Sequence, residues 1–336
     1  MMKTEVLATH TRTLFDAAVK RAVELLRAGE VVALPTETVY GLAANALNAT
    51  AVSRIYEIKG RPGHNPIIVH VASVEMAKRC VAEWPPLADK LARAFWPGPL
   101  TMVLPRAGEI PDIVTAGGAT VGVRWPSHPF IREVIRACDF PLAAPSANLS
   151  NQVSPTNAEH VAKALAGKIP LIVDGGQAQV GLESTVLDLT ERPPRLLRPG
   201  MIHERALMAV TQDIALGFGD SGQVLKSPGQ LAKHYAPKAK LMVLSWRNES
   251  DLNAQLATLE NRFPSPHVIA HTHIPSPAGF GSVSVIPHDA EAYARALYAE
   301  LHRCDELGAG LIVVEAPPDS SEWRAIADRL KRASSG

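Results

Sequence analysis

Apolar positions along the chain repeat with two different spacings. Over residues 13–28 they recur every three or four positions, which is the spacing of one helical face, at Leu14, Ala18, Val19, Ala22, Leu25 and Leu26. Gly29 follows as a helix stop. The next apolar run, Val31-Val-Ala-Leu34, is short enough to be a strand, and Pro35 ends it. The pattern therefore predicts an α/β protein from the beginning of the chain.

The same two spacings continue as far as residue 211. They predict helices at 50–58, 74–82, 87–95, 128–137, 157–165 and 203–211. They predict strands at 66–71, 100–104, 121–124, 141–144, 170–173, 184–189 and 194–198. Short strands separated by long loops favour a mixed sheet with flanking helices over a simple repeat of βαβ units.

A stretch without apolar periodicity separates this region from a second one. From residue 215 to 237 the chain gains Gly217, Gly219, Gly222, Pro228 and Gly229, which is typical of a linker. Beyond it, strands are predicted at 240–244, 267–270, 282–286 and 310–314, and helices at 250–262, 290–303 and 322–332. We therefore predict a domain over 1–213, a linker or lid over 214–237, and a small Rossmann-like or flavodoxin-like parallel-sheet domain over 238–336.

Composition agrees with two ordinary globular domains. Of the 336 residues, 46% are hydrophobic and 20% charged. No apolar run reaches the roughly 18 residues of a membrane span, and the N-terminus lacks a signal-peptide pattern, so a cytoplasmic location is expected. The three cysteines, Cys80, Cys138 and Cys304, are too scattered for a zinc site or a disulfide framework. The net charge of +1 argues against a strongly basic nucleic-acid module.

One segment combines cations with turn residues. From Lys59 to Val71 the chain carries Arg61, Asn65 and His70 together with glycine and proline, but no carboxylate. A solvated surface would interleave acidic residues, so this pattern indicates an anion-binding turn. A basic turn without function, between a helix and a strand, is the alternative from these residues alone.

Other predicted strand ends carry hydroxyls, amides or arginines. These are Thr36 to Tyr40, Pro145 to Asn148, Arg124, Glu183 to Thr185, and Arg198. Taken singly, each could equally be a capping turn, a Ser/Asn turn or a surface arginine. No catalytic triad, nucleophilic cysteine, metal-ligand spacing or Walker A motif accompanies them. The remaining chemistry is phosphoryl or nucleotidyl transfer, in which the protein orients reactants and neutralises charge with the help of Mg²⁺.

Taken in order, these motifs resemble a known family. They are Pro35-Thr-Glu-Thr-Val-Tyr-Gly41, Lys59-Gly-Arg61, Asn65-Pro-Ile-Ile-Val-His70, Trp96-Pro-Gly-Pro-Leu-Thr101, Val123-Arg-Trp-Pro126, Ala144-Pro-Ser-Ala-Asn148, Glu183-Ser-Thr-Val186 and Leu197-Arg-Pro-Gly200. They closely resemble the YrdC-like threonylcarbamoyl-AMP synthases over residues 13–212. The segment 227–237 and the region after it are similar to the long, two-domain form of that family.

The resemblance implies a YrdC-like twisted mixed sheet and a specific reaction. The activity would be synthesis of L-threonylcarbamoyladenylate from L-threonine, bicarbonate and ATP, with release of pyrophosphate, for threonylcarbamoyladenosine modification of tRNA next to the anticodon. The expected partners are these substrates, downstream threonylcarbamoyl-transfer proteins that modify tRNA, and a weak contact with tRNA itself, but no membrane. The alternative is an RNA-binding module of the same fold, for tRNA or ribosome assembly, without adenylate synthesis.

The resemblance also assigns residues. On the L-threonine side it implies Thr38, His70, Arg124, Ala144 and Ser184, with Arg124 on the substrate carboxylate. On the ATP side it implies Lys59, Arg61, Asn65, Thr120, Ser146, Asn148, Ser154, Arg198 and Tyr235, the last as part of a lid. Lys59 and Arg61 would also be catalytic through charge neutralisation. Mg²⁺ is expected with ATP, and no protein metal site is expected.

Overall fold

The computed structural model describes residues 3–216, 226–228, 235–257, 263 and 265–335. The chain divides into two compact units, residues 1–150 with 154–230, and residues 151–153 with 231–336. Much of the predicted linker or lid over 214–237 lies outside the described residues. None of the helices in the described part is long and apolar enough to cross a membrane.

The first unit is built on one large mixed sheet. Within the described residues its strands are β1 Glu5–Ala8, β2 Val32–Leu34, β3 Gly41–Asn45, β4 Val69–His70, β5 Leu100–Pro105, β6 Thr120–Arg124, β7 Leu142–Ala143, β8 Leu171–Asp174, β9 Thr185–Asp188, β10 Arg195–Arg198 and β11 Ala215–Leu216. Their spatial order is β1-β8-β2-β3-β7-β4-β6-β5-β9-β10-β11. Parallel and antiparallel pairs alternate irregularly along it, so the predicted mixed sheet is confirmed.

Helices cover this sheet. They are α1 Arg12–Arg27, α2 Ala49–Lys59, α3 Val74–Cys80, α4 Pro86–Phe95, α5 Asp112–Thr115, α6 Pro129–Cys138, α7 Ala158–Leu165 and α8 Glu204–Thr211. The helix α2 shows why its ends are sharp. The Asn48 side chain accepts a hydrogen bond from the Ala51 N–H at 3.1 Å, and Gly60 ends the helix with a φ of 58°. Lys59 is therefore held as the last helical residue.

Three strands of the first unit, β1, β3 and β11, are not predicted from the sequence. The strand β3 follows the loop at 35–40 directly and pairs antiparallel with β2, although no strand is predicted there. Its sequence, Gly-Leu-Ala-Ala-Asn, contains few strand formers and is buried along almost its whole length, so it shows no alternation. The strand β1 is a short edge strand that pairs parallel with β8. In addition, the predicted strand at 66–71 is reduced to the two residues of β4.

The second unit contains a parallel sheet, as predicted. Its strands are β12 Lys240–Leu244, β13 His267–Ala270, β14 Ser282–Val285 and β15 Leu311–Glu315, in the spatial order β12-β15-β13-β14. All of the described pairs are parallel. The helices are α9 Glu249–Leu256, α10 Ala290–Glu306 and α11 Arg324–Ser334. The predicted helix at 250–262 extends into residues that are not described.

Candidate active site

The loop after β2 is the point where the site's segments meet. Residues 35–40 are buried throughout, although they carry three polar side chains. Their backbone is hydrogen-bonded to two distant loops: the Tyr40 N–H donates to Pro155 O at 2.9 Å, and the Val180 N–H donates to Glu37 O at 2.7 Å. The bridge between Gly41 and Ser146 adds a third. Segments separated by more than 100 residues in the chain therefore converge here.

Arg124 lies against the loop at 35–40, in the crevice that we define by the meeting of these segments, and makes a buried ion pair. Its Nη2 is 2.8 Å from Oε1 of Glu37, and the two side chains are 4% and 3% exposed. Its Nη1 donates a hydrogen bond to Thr38 Oγ1 at 2.9 Å, and Thr36 Oγ1 lies 2.9 Å from the same hydroxyl. The guanidinium is thus fixed by two neighbouring residues of one loop.

His70 is the neighbour of Arg124 across the sheet. The two residues are register partners in the parallel pair of β4 and β6, so their backbones lie about 4.8 Å apart. Burial, together with the positive charge of Arg124, lowers the pKa of His70 to about 3. The ring is therefore neutral at neutral pH, and no described residue hydrogen-bonds to its Nδ1. A neutral imidazole can interact with a polar substrate without adding charge.

Lys59 is buried against the loop that follows β7. Its Nζ donates to the Ser146 carbonyl at 2.6 Å, to the Asn148 carbonyl, and to Asn148 Oδ1 at 3.3 Å. The Ser146 hydroxyl donates to Asn148 Oδ1 at 2.5 Å. Burial and the nearby charge of Arg61 hold the pKa of Lys59 well below its usual range. An approaching phosphate would reverse that shift, because an anion stabilises the ammonium form.

Arg61 folds the basic segment back on itself. Its Nε donates to the Asn65 carbonyl at 2.9 Å and its Nη2 to the Pro66 carbonyl at 2.6 Å. The Asn65 side chain is 2% exposed, and its Oδ1 accepts no hydrogen bond from a described residue. Two basic side chains, Lys59 and Arg61, are therefore held in a buried turn by carbonyl oxygens, and an incoming anion would have to replace some of these contacts.

Arg198 and Ser184 form a further part of the site. Arg198 Nε donates to the Ser184 carbonyl and Nη2 donates to Ser184 Oγ, both at 3.0 Å. Thr101 Oγ1 lies 2.8 Å from the same hydroxyl. Nearby in the chain, the Ser154 hydroxyl donates to Glu183 Oε1 at 2.6 Å. Three assigned residues are thus held by hydrogen bonds: Arg198 and Ser184 contact each other, and Ser184 and Ser154 also contact Thr101 and Glu183, which are not assigned.

The remaining assigned residues are Thr120, Ala144 and Tyr235. Thr120 begins β6 and Arg124 ends it, which separates their backbones by about 13 Å along the strand. Ala144 contributes backbone, and its N–H donates to the Ile68 carbonyl at 3.1 Å. Tyr235 belongs to the second unit, where its ring lies 6.0 Å from that of Tyr298 and 5.2 Å from the Arg329 guanidinium carbon. The substrate-binding and catalytic roles of these and of the other assigned residues stay predictions.

Several polar residues of the crevice were missed as site residues. They are Thr36, Glu37, Thr101, His128 and Glu183. Glu37 had a detectable signal, since it is the only charged residue between Val31 and Asn48. Burial lowers the pKa of His128, and the negative charge of Glu37 acts in the opposite direction. Thr101 ends the motif at 96–101, whereas the sequence offers no comparable sign for His128.

The fold and site together define an α/β domain with a buried, cationic crevice suited to a nucleotide and a carboxylate. Comparison with known proteins identifies the family. Residues 24–200 match the Sua5/YciO/YrdC family model, described as Telomere recombination, and residues 201–335 match Threonylcarbamoyl-AMP synthase, C-terminal domain. The chain belongs to the Sua5/YciO/YrdC family, and the family predicted from the sequence motifs is confirmed.

Relatives of nearly full length agree. The threonylcarbamoyl-AMP synthase of Pyrococcus abyssi is 40% identical over 94% of this chain and 94% of its own. That of Bacillus subtilis is 41% identical over 96% of this chain and 94% of its own. The crystal structure of P. abyssi Sua5 complexed with L-threonine superposes with a TM-score of 0.91 at 38% identity, covering 98% of both chains.

Proposed function

We propose that this protein synthesises L-threonylcarbamoyladenylate from L-threonine, bicarbonate and ATP, releasing pyrophosphate. The observation that carries the proposal is the buried crevice of Arg124, Lys59, Arg61 and Arg198 in a chain whose relatives, over nearly their whole length, are named for this product. The product serves threonylcarbamoyladenosine modification of tRNA next to the anticodon. In this role the protein acts in the cytoplasm and passes the adenylate to downstream threonylcarbamoyl-transfer proteins.

The threonine carboxylate binds Arg124. A guanidinium presents two parallel N–H donors to a carboxylate, and burial strengthens the interaction. Thr38 and the neutral ring of His70 lie beside Arg124 and contact the rest of the amino acid, with the Ala144 backbone and Ser184 completing the pocket. The L-threonine complex of the P. abyssi relative supports this substrate.

The ATP phosphates bind the second set of cations. Lys59 and Arg61 sit in a turn stabilised by carbonyl contacts, and Arg198 lies beside Ser184. Asn65, Ser146, Asn148 and Ser154 supply amide and hydroxyl groups. The role of these residues is to neutralise charge in a transition state in which the α-phosphorus carries attacking and leaving oxygens in line.

The reaction takes place in two balanced steps. The free amine of threonine attacks the carbon of bicarbonate or of CO₂ derived from it, and the first step yields a carbamate and water. A carbamate oxygen then attacks the α-phosphorus of ATP, the bond to the bridging oxygen breaks, and pyrophosphate leaves. Enclosing the adenylate away from water would limit its hydrolysis.

Mg²⁺ is proposed to enter with ATP. Among the residues that the structure describes, no group of three or more His, Cys, Asp or Glu side chains could hold a metal ion. Mg²⁺ prefers oxygen ligands and is commonly held by substrate phosphates, water and one or two protein oxygens. The Ser154 hydroxyl and the Glu183 carboxylate offer such oxygens on the ATP side. The ion would offset the charge of the triphosphate.

The experiment is a reconstitution with the purified full chain. With ATP, Mg²⁺, bicarbonate and L-threonine present, pyrophosphate should appear together with a product of the mass of threonylcarbamoyladenylate. Omitting threonine or bicarbonate should abolish both. Pyrophosphate release that ignores threonine would contradict the proposal. Tight tRNA binding with a steep salt dependence and no adenylate would instead favour the RNA-binding alternative.

A further inference from the structure

Lys226 anchors a short segment of the predicted linker to the first unit. Its Nζ lies 2.7 Å from Asp188 Oδ2 and 2.9 Å from Glu191 Oε1, and it donates to Thr190 Oγ1 at 3.2 Å. The Asp188 side chain is fully buried. Burying the Asp188 carboxylate without a cation would cost free energy, so the ion pair favours the position of Lys226 beside the end of β9.

The residue after Lys226 has an unusual environment. Ser227 is 1% exposed, and no described residue hydrogen-bonds to its hydroxyl. Buried hydroxyls are normally hydrogen-bonded, because desolvating one without a partner is unfavourable. The Ser227 hydroxyl can therefore donate to an oxygen of a bound ligand.

The segment also touches a cation of the ATP side. Arg198 Nη1 donates to the Pro228 carbonyl at 3.4 Å, a long hydrogen bond. The other nitrogens of Arg198 are held more closely by Ser184, at 3.0 Å. The contact with the Pro228 carbonyl is longer than the two contacts with Ser184, so an anionic oxygen would replace it more easily than those two.

We propose that Ser227 is a nucleotide-binding residue and that Lys226 positions it. When ATP binds, a phosphate oxygen replaces the Pro228 carbonyl on Arg198 Nη1 and accepts a hydrogen bond from the Ser227 hydroxyl. The ion pairs of Lys226 with Asp188 and Glu191 keep the segment beside Arg198 throughout. This inference rests on the proposed function, because it takes ATP as the ligand of Arg198.

The direct test measures binding without turnover. The probe is α,β-methylene-ATP with Mg²⁺, titrated into the full-length protein in a calorimeter, and L-threonine is titrated separately. Ser227→Ala should weaken binding of the analogue about tenfold, since a hydrogen bond to a charged group is lost. Its threonine affinity should stay within about twofold of the wild type. Unchanged analogue binding, or equal losses for both ligands, would overturn the role of Ser227.

The positioning role needs its own variants. Lys226→Met should weaken analogue binding and raise the KM for ATP more than that for threonine, and Lys226→Arg should restore most of both. Lys163→Met is the matched control, because Lys163 pairs with Glu159 at the same 2.7 Å but on an exposed helix face. If Lys226→Met does not fold, Glu191→Gln removes only the partly exposed partner and should give a smaller loss of the same kind. Weaker analogue binding in Lys163→Met would refute the positioning role, and so would unchanged analogue binding in Glu191→Gln.

The two proposals fail in different ways. A wild-type protein that binds the analogue but makes no threonine-dependent pyrophosphate would refute the adenylate synthesis, and the binding data would still decide on Ser227. A wild-type protein that makes the adenylate while Ser227→Ala binds the analogue normally would refute only the present inference.

Discussion

The buried pair of Glu37 and Arg124 allows stability and substrate binding to be separated. The two groups are 2.8 Å apart and almost fully buried, so removing one charge leaves the other without compensation. Such a change costs about 3–5 kcal/mol of unfolding free energy. For a unit of this size, that corresponds to a decrease in Tm of roughly 6–20 °C. Arg124→Met alone and Glu37→Gln alone should both be destabilised to this extent.

Removing both charges has a different expected result. Replacing a buried ion pair by uncharged groups is often nearly neutral, so the double variant Glu37→Gln, Arg124→Met should recover most of the lost Tm. The double variant still lacks the Arg124 guanidinium, which binds the threonine carboxylate. Losing one member of a buried charge pair costs about 2–5 kcal/mol of binding free energy, so the KM for threonine should rise roughly 30-fold to several thousand-fold in both Arg124 variants.

The assay has two parts. Initial rates of pyrophosphate release are measured at varied threonine and at varied ATP concentrations, and thermal unfolding is measured on the same preparations. Glu37→Gln should bind threonine at least as tightly as the wild type, because Arg124 keeps its charge and loses its internal competitor. A double variant that regains threonine affinity together with its Tm would refute the carboxylate role. An equal rise of both KM values in Arg124→Met would refute it as well.

Three further predictions concern other parts of the crevice. Because the folded-state pKa of His70 is about 3, against an ordinary value of 6.5, the unfolded chain binds this proton more readily between these values, so the His70 contribution to stability should fall by about 1.4 kcal/mol per pH unit as the pH drops from 6.5 towards 3. His70→Gln should therefore lose stability less steeply with falling pH than the wild type, and an equal pH dependence of unfolding in the two proteins would contradict this. Gly200→Ala should lower the Tm and raise the KM for threonine, since an added Cβ would meet the Ser184 backbone carbon at 2.8 Å, whereas Gly108→Ala, with nothing within 4 Å, should behave as the wild type. Phosphate beside Lys59 should raise its lowered pKa, so binding of Mg²⁺ with ATP should take up protons over the pH range in which the free protein's Lys59 loses its proton; calorimetry in two buffers at a series of pH values should find this uptake, and its persistence in Lys59→Met would assign it elsewhere.

How far the sequence predicts the fold depends on how each element is stabilised. The helix α1 was predicted within one residue at each end, because its apolar face repeats regularly and Gly29 stops it. The strand β3 was not predicted, because its Ala-rich sequence becomes a strand only through antiparallel pairing with β2 on one side and β7 on the other. That stabilisation comes from tertiary contacts, which local propensity does not encode.

The candidate site shows the same division between local and distant information. Arg124 and Glu37 could each be noticed as charges at predicted strand ends, and the motif resemblance gave Arg124 a role. Their pairing depends on the order of the strands, because Arg124 lies far along the chain from the loop that holds Glu37. Thr38, the next residue of that loop and also a contact of Arg124, is 86 positions away from it. The register of β4 with β6 likewise determines that Arg124, rather than another cation, lies beside His70 and lowers its pKa. Residue chemistry was therefore predictable wherever a motif carried it, whereas the protonation state and the internal competitor of the substrate arise from strand pairing and burial.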